Sequence, residues 1–321
     1  MYGITKLYRL AFNKSHSILY SHISVYTAWL KKYYPTEFMC ALIESEDPNS
    51  DKVQEYLSEC VSMGIEILPP DVNHSQGFYS IKEDGKIITG LSAIKGLGEA
   101  AIKEITSNKP YVDFCDFLRK NSSRTVGKTA IQSLAKAGAL DVFSRTRKDY
   151  FENYQKYRSK VRAAEKKEKN FDDSMIPEYN EEWSRKELLL GERQVLGRAV
   201  SGSLHEVFKD FFGSSGMATS LSRVSNLESG EKVKVEAIIN SKLKEFKIKN
   251  GKKAGQKFAK YLIEDVHGNK CGMTVWSDDY NKLKSVLKDG VPIKAICKVN
   301  EYLDQKDLSL STLERVYGRS L

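Results

Sequence analysis

The sequence contains no apolar run that approaches the roughly 18 residues needed to cross a membrane, and its first residues lack the apolar core of a secretory signal. Its five cysteines are scattered, with no Cys-x-x-Cys pair and no histidine at ligand spacing. This arrangement argues against a disulfide framework and against a structural zinc site. We therefore expect a soluble protein of a reducing compartment, the cytoplasm.

Positive charge is in excess, because 51 Lys and Arg stand against 42 Asp and Glu and give a net charge of +9. Two segments concentrate this excess, one at 145–169 and one at 231–260. Both could neutralise phosphates, which favours a polyanionic partner such as nucleic acid. Either segment taken alone could also be a solvated surface. The length of 321 residues is sufficient for two or three domains.

The start of the chain has the apolar spacing of helices. Residues 17–44 predict a largely buried helical segment, which Pro35 interrupts because proline cannot donate the hydrogen bond of a helix interior. A further helix is expected between the cap region at 47–50 and Gly64, a residue type that often follows a helix end.

Short strands and further helices are expected next. Residues 65–68 predict a strand ended by prolines, and Asp84-Gly85 between two apolar runs favours the tight turn of a β-hairpin. Several short helices are expected over 92–143 and a basic helix over 145–169. The acidic, polar residues 170–183 have the composition of a linker.

The sharpest local motif, Ile94-Lys-Gly-Leu-Gly-Glu-Ala-Ala-Ile-Lys-Glu-Ile, matches the turn of a helix-hairpin-helix. Its glycines place no Cβ between backbone and phosphate, and the free N–H groups at the start of the second helix face that phosphate. Such contacts hold a duplex without reading its bases. The residues predicted to bind duplex DNA are Lys95, Gly96, Leu97, Gly98 and Lys103. A glycine-containing loop between packed helices is the alternative, and a degenerate second copy is expected at 129–141.

The pattern changes to strands from Gly230 onward. Residues 232–239 alternate with period two, and about five short strands with a helix near 278–287, between the third and fourth, are typical of an OB-fold. We therefore predict a multidomain α+β protein. Its mainly helical N-terminal half carries the helix-hairpin-helix unit, and its C-terminal part is a β-barrel of the OB-fold type.

The first hairpin of this barrel is rich in lysine and aromatic residues. Aromatic side chains stack on bases for about 1–3 kcal/mol per base, and lysines neutralise phosphates. The residues predicted to bind single-stranded DNA are Phe246, Lys247, Lys249, Lys252, Lys253, Phe258 and Tyr261. At least half of the aromatic side chains could instead belong to the core. Trp276 ends an apolar strand, and we expect it to be core.

Several motifs follow one another in a fixed order along the chain. They are Phe12-Asn-Lys-Ser-His-Ser, Tyr33-Tyr-Pro-Thr-Glu-Phe-Met, Ile67-Leu-Pro-Pro-Asp-Val-Asn, Ala93-Ile-Lys-Gly-Leu-Gly-Glu, Ala137-Gly-Ala-Leu-Asp-Val-Phe and Glu187-Leu-Leu-Leu-Gly-Glu-Arg-Gln-Val-Leu-Gly. In this order they resemble the C-terminal part of the bacterial DNA polymerase III alpha subunit, a C-family replicative polymerase. The resemblance covers nearly the whole chain. It departs at Ser201-Gly-Ser-Leu-His, where the family usually has His-Pro after Ser-Gly.

The resemblance implies four regions. These are a fingers segment at 1–85, a tandem helix-hairpin-helix unit at 86–143, a basic helix and linker at 144–224, and the OB-fold at 225–321. It implies that Lys14, Ser15 and His16 face the incoming nucleotide, that the helix-hairpin-helix unit holds duplex DNA, and that the OB-fold binds the single-stranded template. The family also carries a sliding-clamp peptide between the last two regions. Residues 170–176 match it poorly, so we do not expect clamp binding here.

The resemblance also implies what this chain needs from elsewhere. Polymerase chemistry uses carboxylates that hold Mg²⁺, and no Asp-x-Asp pair here suits that task. The family's palm lies upstream of Phe12. We therefore expect a DNA-directed DNA polymerase (a nucleotidyltransferase) that is split, with Mg²⁺ bound by a separate palm-bearing chain. This chain alone is then expected to be inactive; a truncated or degraded gene product is the alternative.

Two other interpretations stay open. Lys82-Glu-Asp-Gly fits the Lys-x-Asp-Gly pattern of nucleic-acid ligases, in which the lysine becomes adenylated, although a β-turn is the favoured interpretation. The second alternative is a free-standing DNA-binding accessory protein. Such a protein has no use for a fingers segment, and in a split polymerase residues 1–44 of that segment should expose an apolar docking patch.

Overall fold

The computed structural model describes residues 14–48, 50–169, 171–177, 179–213, 218–251, 253–302 and 305–317. Two compact units make up the chain. The first contains the residues up to Ser184 together with Gly191–Val200. The second contains Arg185–Leu190 and the residues from Ser201 onward.

Helices dominate the chain as far as residue 196. They are α1 (Lys14–Tyr33), α2 (Pro35–Glu44), α3 (Asp51–Ser62), α4 (Glu99–Asn108), α5 (Phe114–Lys120), α6 (Lys128–Ala137), α7 (Arg147–Glu165) and α8 (Arg185–Leu196). Three short strands form a small sheet, in which β3 (Ile87–Ile88) lies between β1 (Ile67–Leu68), its parallel neighbour, and β2 (Ser80–Ile81), its antiparallel neighbour.

Local turn chemistry explains where these elements begin and end. Pro35 occupies the first turn of α2, where a missing N–H is tolerated, and Gly64 follows α3 with φ of +76°. The β2–β3 turn closes with a hydrogen bond of 2.9 Å from Gly85 N–H to the Lys82 carbonyl, and Gly85 has φ of +77°. The predicted break, helix end and hairpin are therefore confirmed, and Lys82 lies in a β-turn.

Helix α1 differs from the expectation of a buried segment. Its side chains from residue 17 to 33 are almost all exposed, including Tyr26 at 66% and Trp29 at 49%. The prediction of burial was wrong because apolar periodicity indicates a helix that can be covered, without indicating what covers it. Within the described residues α1 contacts α2, and Lys31 Nζ lies 2.5 Å from a Glu59 carboxylate oxygen in α3.

An aromatic cluster forms much of the first unit's core. The ring of Phe114 in α5 lies 4.6 Å from that of Tyr150 and 5.3 Å from that of Tyr157, centre to centre. Tyr150, Tyr154 and Tyr157 recur at helical spacing and bury one face of α7. The predicted basic helix is thus confirmed, and its aromatic residues anchor it to the core.

The predicted linker at 170–183 also contributes to this core. The buried Asp173 carboxylate accepts hydrogen bonds from the backbone N–H groups of Phe114 (3.1 Å) and Cys115 (2.9 Å), at the start of α5. Ile176 is 4% exposed, and the Arg145 guanidinium donates to its carbonyl at 2.8 Å. Residues 171–177 therefore form a docked strap, contrary to the linker prediction, because one buried carboxylate satisfies two free N–H groups of a helix.

The second unit is built on a closed five-stranded barrel. From Ser201 onward its α-helices are α9 (Leu204–Val207), α10 (Lys209–Phe212) and α11 (Ser277–Leu283). Its strands are β4 (Lys232–Lys247), β5 (Lys257–Glu264), β6 (Lys270–Val275), β7 (Pro292–Tyr302) and β8 (Gln305–Val316). The strand order is β4-β5-β6-β8-β7, with β6 and β8 parallel and α11 between the third and fourth strands. This topology is that of the OB-fold, so the predicted fold class is confirmed.

Candidate nucleic-acid interface

The helix-hairpin-helix turn connects a 3-10 helix (Leu91–Ala93) to α4. Gly96 has φ of +95°, a conformation that side chains rarely adopt. A Cβ at this position would lie 2.5 Å from the Ser133 Oγ of α6. The folded chain itself therefore requires glycine at position 96.

Gly98 has a different environment. It is the N-cap of α4 with φ of −82°, no side chain caps the first turn, and a Cβ placed here would meet no atom within 4 Å. Lys95 and Lys103 are exposed, whereas Leu97 packs partly against the core. The structure thus presents an open helix N-terminus flanked by two lysines, the arrangement that binds a phosphate.

The expected second copy at 129–141 is α6 and the turn that ends it, so the hairpin loop lies earlier, at 121–127 between α5 and α6. Gly127 is the N-cap of α6, and Lys128 is exposed. Because Gly96 packs against Ser133 of α6, the two hairpins support each other.

A row of three stacked aromatic rings lies across neighbouring strands on the outer surface of the barrel, with Phe246 and Phe258 half-buried and Trp276 exposed. The ring of Phe258 lies 5.0 Å from that of Phe246, with an angle of 14° between the planes, and 4.8 Å from that of Trp276, at 29°. Phe246 and Phe258 are register partners on β4 and β5, and Trp276 directly follows β6. OB-folds bind oligonucleotides on the face of their second and third strands, here β5 and β6.

Trp276 was expected in the core, and this expectation is wrong because the side chain is 47% exposed. Met273 and Val275 point into the barrel, so the period of two along the strand turns Trp276 outward. Continuing that alternation by one residue would have identified Trp276 from the sequence.

Tyr261 is the opposite case. It is 1% exposed, and burial raises its pKa to about 12, so the prediction that it stacks on bases is wrong. Ala259, Tyr261 and Ile263 alternate into the barrel, whereas Phe258 and Lys260 point outward. An aromatic residue type alone does not indicate a stacking surface, because the phase of the strand decides which side chains point inward.

The lysines of the β4–β5 hairpin divide into two groups. Lys247 and Lys249 are exposed and make no ion pair within the described part of the chain. Lys253 pairs with Asp278, and Lys257 pairs with Glu245 at 2.6 Å. The predicted Lys252 lies outside the described residues. Lys244 Nζ lies 5.3 Å from the centre of the Phe246 ring, at the end of the aromatic row.

Comparison with known proteins finds several relatives that share one name. A DNA polymerase III subunit alpha from Campylobacter jejuni is 32% identical over 305 residues, which cover 89% of this chain. The protein of the same name from Treponema pallidum is 31% identical over 274 residues, or 80% of the chain. The chain is a relative of the DNA polymerase III alpha subunit. It spans about a quarter of these two alpha subunits, 25% and 23% of their lengths.

Shorter comparisons cover parts of the chain. The alpha subunit of Thermus aquaticus is 46% identical over 136 residues, which are 41% of this chain and 11% of that protein. A helix-hairpin-helix motif family matches residues 64–150. Two solved structures match parts of the chain. The second OB-fold domain of replication protein A from Methanococcus maripaludis is 19% identical and covers 30% of this chain and 94% of its own, with a TM-score of 0.23. The mitochondrial single-stranded DNA-binding protein Rim1 of S. cerevisiae is 20% identical and covers 27% of this chain and 94% of its own, with a TM-score of 0.21.

The nucleotide-facing residues that the alpha-subunit resemblance implies begin α1. Lys14, Ser15 and His16 form its first turn, and their side chains lie outside the described part of the structure, as do Phe12 and Asn13. Among the described residues, no group of three or more His, Cys, Asp or Glu side chains could hold a metal ion. No described helix is both long and apolar enough to cross a membrane.

The segment compared with the alpha subunit's clamp peptide is the docked strap at 171–177. Its apolar end, Ile176, is buried and its carbonyl is bound by Arg145, so this side chain is already occupied within the chain. Met175 is 52% exposed, and Asn170 lies outside the described residues.

Proposed function

We propose that this chain binds primer-template DNA as the C-terminal portion of a replicative polymerase of the DNA polymerase III alpha type. The observation that carries the proposal is the stacked row of the half-buried Phe246 and Phe258 and the exposed Trp276 on the outer surface of an OB-fold. Beside it lie Lys247 and Lys249, which make no ion pair among the described residues. Stacked aromatic rings with nearby cations bind single strands without sequence preference. The template strand is the single strand that such a polymerase handles.

The helix-hairpin-helix unit is proposed to hold the duplex part of the same DNA. Open N–H groups at Gly98 and the exposed Lys95 and Lys103 support this role, because they offer dipole and charge to a phosphate without base contacts. The family match to residues 64–150 supports it independently.

DNA binding is tested by titrating the full chain into dye-labelled single-stranded and duplex oligonucleotides and following fluorescence anisotropy. We expect saturable binding to both, weakening as salt rises, because phosphates release counterions when lysines neutralise them. A chain that binds neither DNA at low salt contradicts the proposed function.

A wider proposal concerns the chemistry. Lys14, Ser15 and His16 would contact the incoming triphosphate, and carboxylates outside this chain would hold the Mg²⁺ ions that support in-line attack. The chain is then one part of a split nucleotidyltransferase, which would work in the cytoplasm together with a palm-bearing polypeptide. The length of the relatives, about four times that of this chain, supports the need for further residues.

The exposed apolar residues of α1 support a partner of this kind. Ile23, Tyr26 and Trp29 are each about half exposed or more, and apolar surface of this extent marks an interaction site. We expect the chain to capture a palm-bearing polypeptide on co-expression, with polymerase activity only in the mixture. Tyr26→Ser with Trp29→Ser should abolish capture, whereas the exposed Val112→Ser should not. Activity that never appears in the mixture favours the accessory-protein alternative.

A further inference from the structure

One lysine on the binding face of the barrel is already paired. Lys260 lies two residues after Phe258 on β5, so both side chains project from the outer face. Its Nζ lies 2.7 Å from an Asp307 carboxylate oxygen on β8, and the two side chains are 38% and 28% exposed. Lys260 therefore reaches away from the aromatic row, across β6, to a carboxylate.

A glycine in β6 makes this path possible. Gly272 is the register partner of Leu262 in the strand between Lys260 and Asp307. A Cβ on Gly272 would lie 2.6 Å from Cε of Lys260 and 3.7 Å from Cβ of Asp307. The aliphatic part of the Lys260 side chain therefore lies directly against the backbone of β6 at Gly272.

We propose that the Asp307 carboxylate competes with nucleic-acid phosphate for Lys260. It holds the lysine out of contact with the nucleic acid and so lowers the affinity of this face for single strands. The inference rests on the proposed single-strand binding. An exposed ion pair contributes little net free energy to folding, so Asp307 can be removed without unfolding the barrel, which leaves Lys260 available to a phosphate. A polymerase template must slide, and a face whose cations are partly pre-neutralised releases each phosphate more readily.

The opposite face of the β4–β5 hairpin provides a matched control. Glu245 lies 2.6 Å from Lys257 Nζ and 2.8 Å from Lys242 Nζ, so it too pairs with lysines. Its register partner is the buried Ala259, so it projects from the face opposite Phe258. Removing either carboxylate changes the net charge by the same amount, but only Asp307 restrains a lysine on the aromatic side.

The experiment compares the full chain with Asp307→Asn, Glu245→Gln, and Asp307→Asn combined with Lys260→Gln. Each protein is titrated with single-stranded oligo(dT) at several salt concentrations. We expect Asp307→Asn to bind more tightly and to steepen the plot of log affinity against log salt by about 0.7, the increment for one more neutralised phosphate on a single strand. The slope for Glu245→Gln should match that of the unchanged chain, and Lys260→Gln should remove the gain.

Three results overturn the inference. They are an Asp307→Asn slope equal to that of the unchanged chain, an equal steepening in Glu245→Gln, or a gain that persists without Lys260. If the unchanged chain itself fails to bind oligo(dT), the proposed function fails, and the inference fails with it. Thermal unfolding of each variant checks that the barrel is intact. We expect little change in the unfolding temperature, because the Glu245 and Asp307 carboxylates are both partly exposed.

Discussion

At the scale of single residues, Gly96 and Gly98 are two positions apart but have different constraints. Gly96→Ala forces a Cβ into positive φ and towards Ser133, so we expect a loss of about 1–3 kcal/mol in the unfolding free energy of the first unit. Gly98→Thr should leave stability nearly unchanged, because threonine caps helices about as well as glycine and the space is open.

Duplex binding tests the proposed phosphate contact at Gly98. Gly98→Thr should weaken binding to duplexes of every sequence alike, because its side chain obstructs the approach of a phosphate to the start of α4. Ser107→Thr, at the exposed end of the same helix, is the control and should bind as the unchanged chain does. Full duplex affinity in Gly98→Thr argues against a phosphate at this helix start.

The aromatic row makes a second prediction at this scale. Trp276→Ala should weaken binding to single-stranded oligonucleotides by about 1–3 kcal/mol while leaving duplex binding nearly unchanged. Anisotropy titrations measure both, and Val266→Ala, an exposed apolar residue of the same barrel, is the control. Equal losses in the two variants would mean that the row makes no specific contact.

Residue chemistry was easier to predict from the sequence than residue direction. Gly96, Gly98, Lys247 and Lys249 lie where the motif and the hairpin predicted them, because turn geometry and charge are local properties. Tyr261 was predicted at the surface but is buried, and Trp276 was predicted in the core but is exposed, because the direction of a side chain depends on the phase of its strand. The pairing of Lys260 with Asp307 could not be predicted, because strand order brings the two residues together.

At the scale of elements, the strap at 171–177 makes a prediction about α5. Asp173→Ala leaves the N–H groups of Phe114 and Cys115 without their carboxylate acceptor, which should cost about 1–3 kcal/mol. Amide hydrogen exchange at the start of α5 should rise in this variant and much less in Asp173→Asn, which keeps one acceptor oxygen. Unchanged exchange in Asp173→Ala would mean that the strap does not hold α5.

The β4–β5 hairpin makes a prediction about salt. Lys247→Gln with Lys249→Gln should reduce the salt slope of single-strand binding by about 1.4, about 0.7 for each unpaired lysine. Lys257→Gln is the control and should have a smaller effect, because Glu245 already neutralises this lysine. A slope that stays unchanged in the double variant would exclude this hairpin from the binding surface.

Element boundaries were largely predictable, whereas burial was not. Pro35, Gly64 and Gly85 mark their breaks through backbone chemistry that acts within a few residues. The exposure of α1 and the docking of Asp173 depend on surfaces distant in sequence. The apolar periodicity of α1 therefore predicted a buried helix, and the polar composition of 170–183 predicted a linker.

At the scale of the whole molecule, the proposed function gives one chain two DNA-binding units of different preference. A duplex unit and a single-strand unit that are joined covalently act at high effective concentration towards each other when one DNA offers both features. A primer-template junction is such a DNA. The central claim is that the chain binds this junction as part of a polymerase of the alpha-subunit type.

The most direct measurement is the affinity of the full chain for a primer-template junction, compared with its duplex part and its single-stranded overhang alone, at one salt concentration. The account predicts that the junction is bound more tightly than either part. It also predicts that Trp276→Ala and Gly98→Thr each remove most of that advantage. A junction that is bound no more tightly than the duplex of equal length would contradict it.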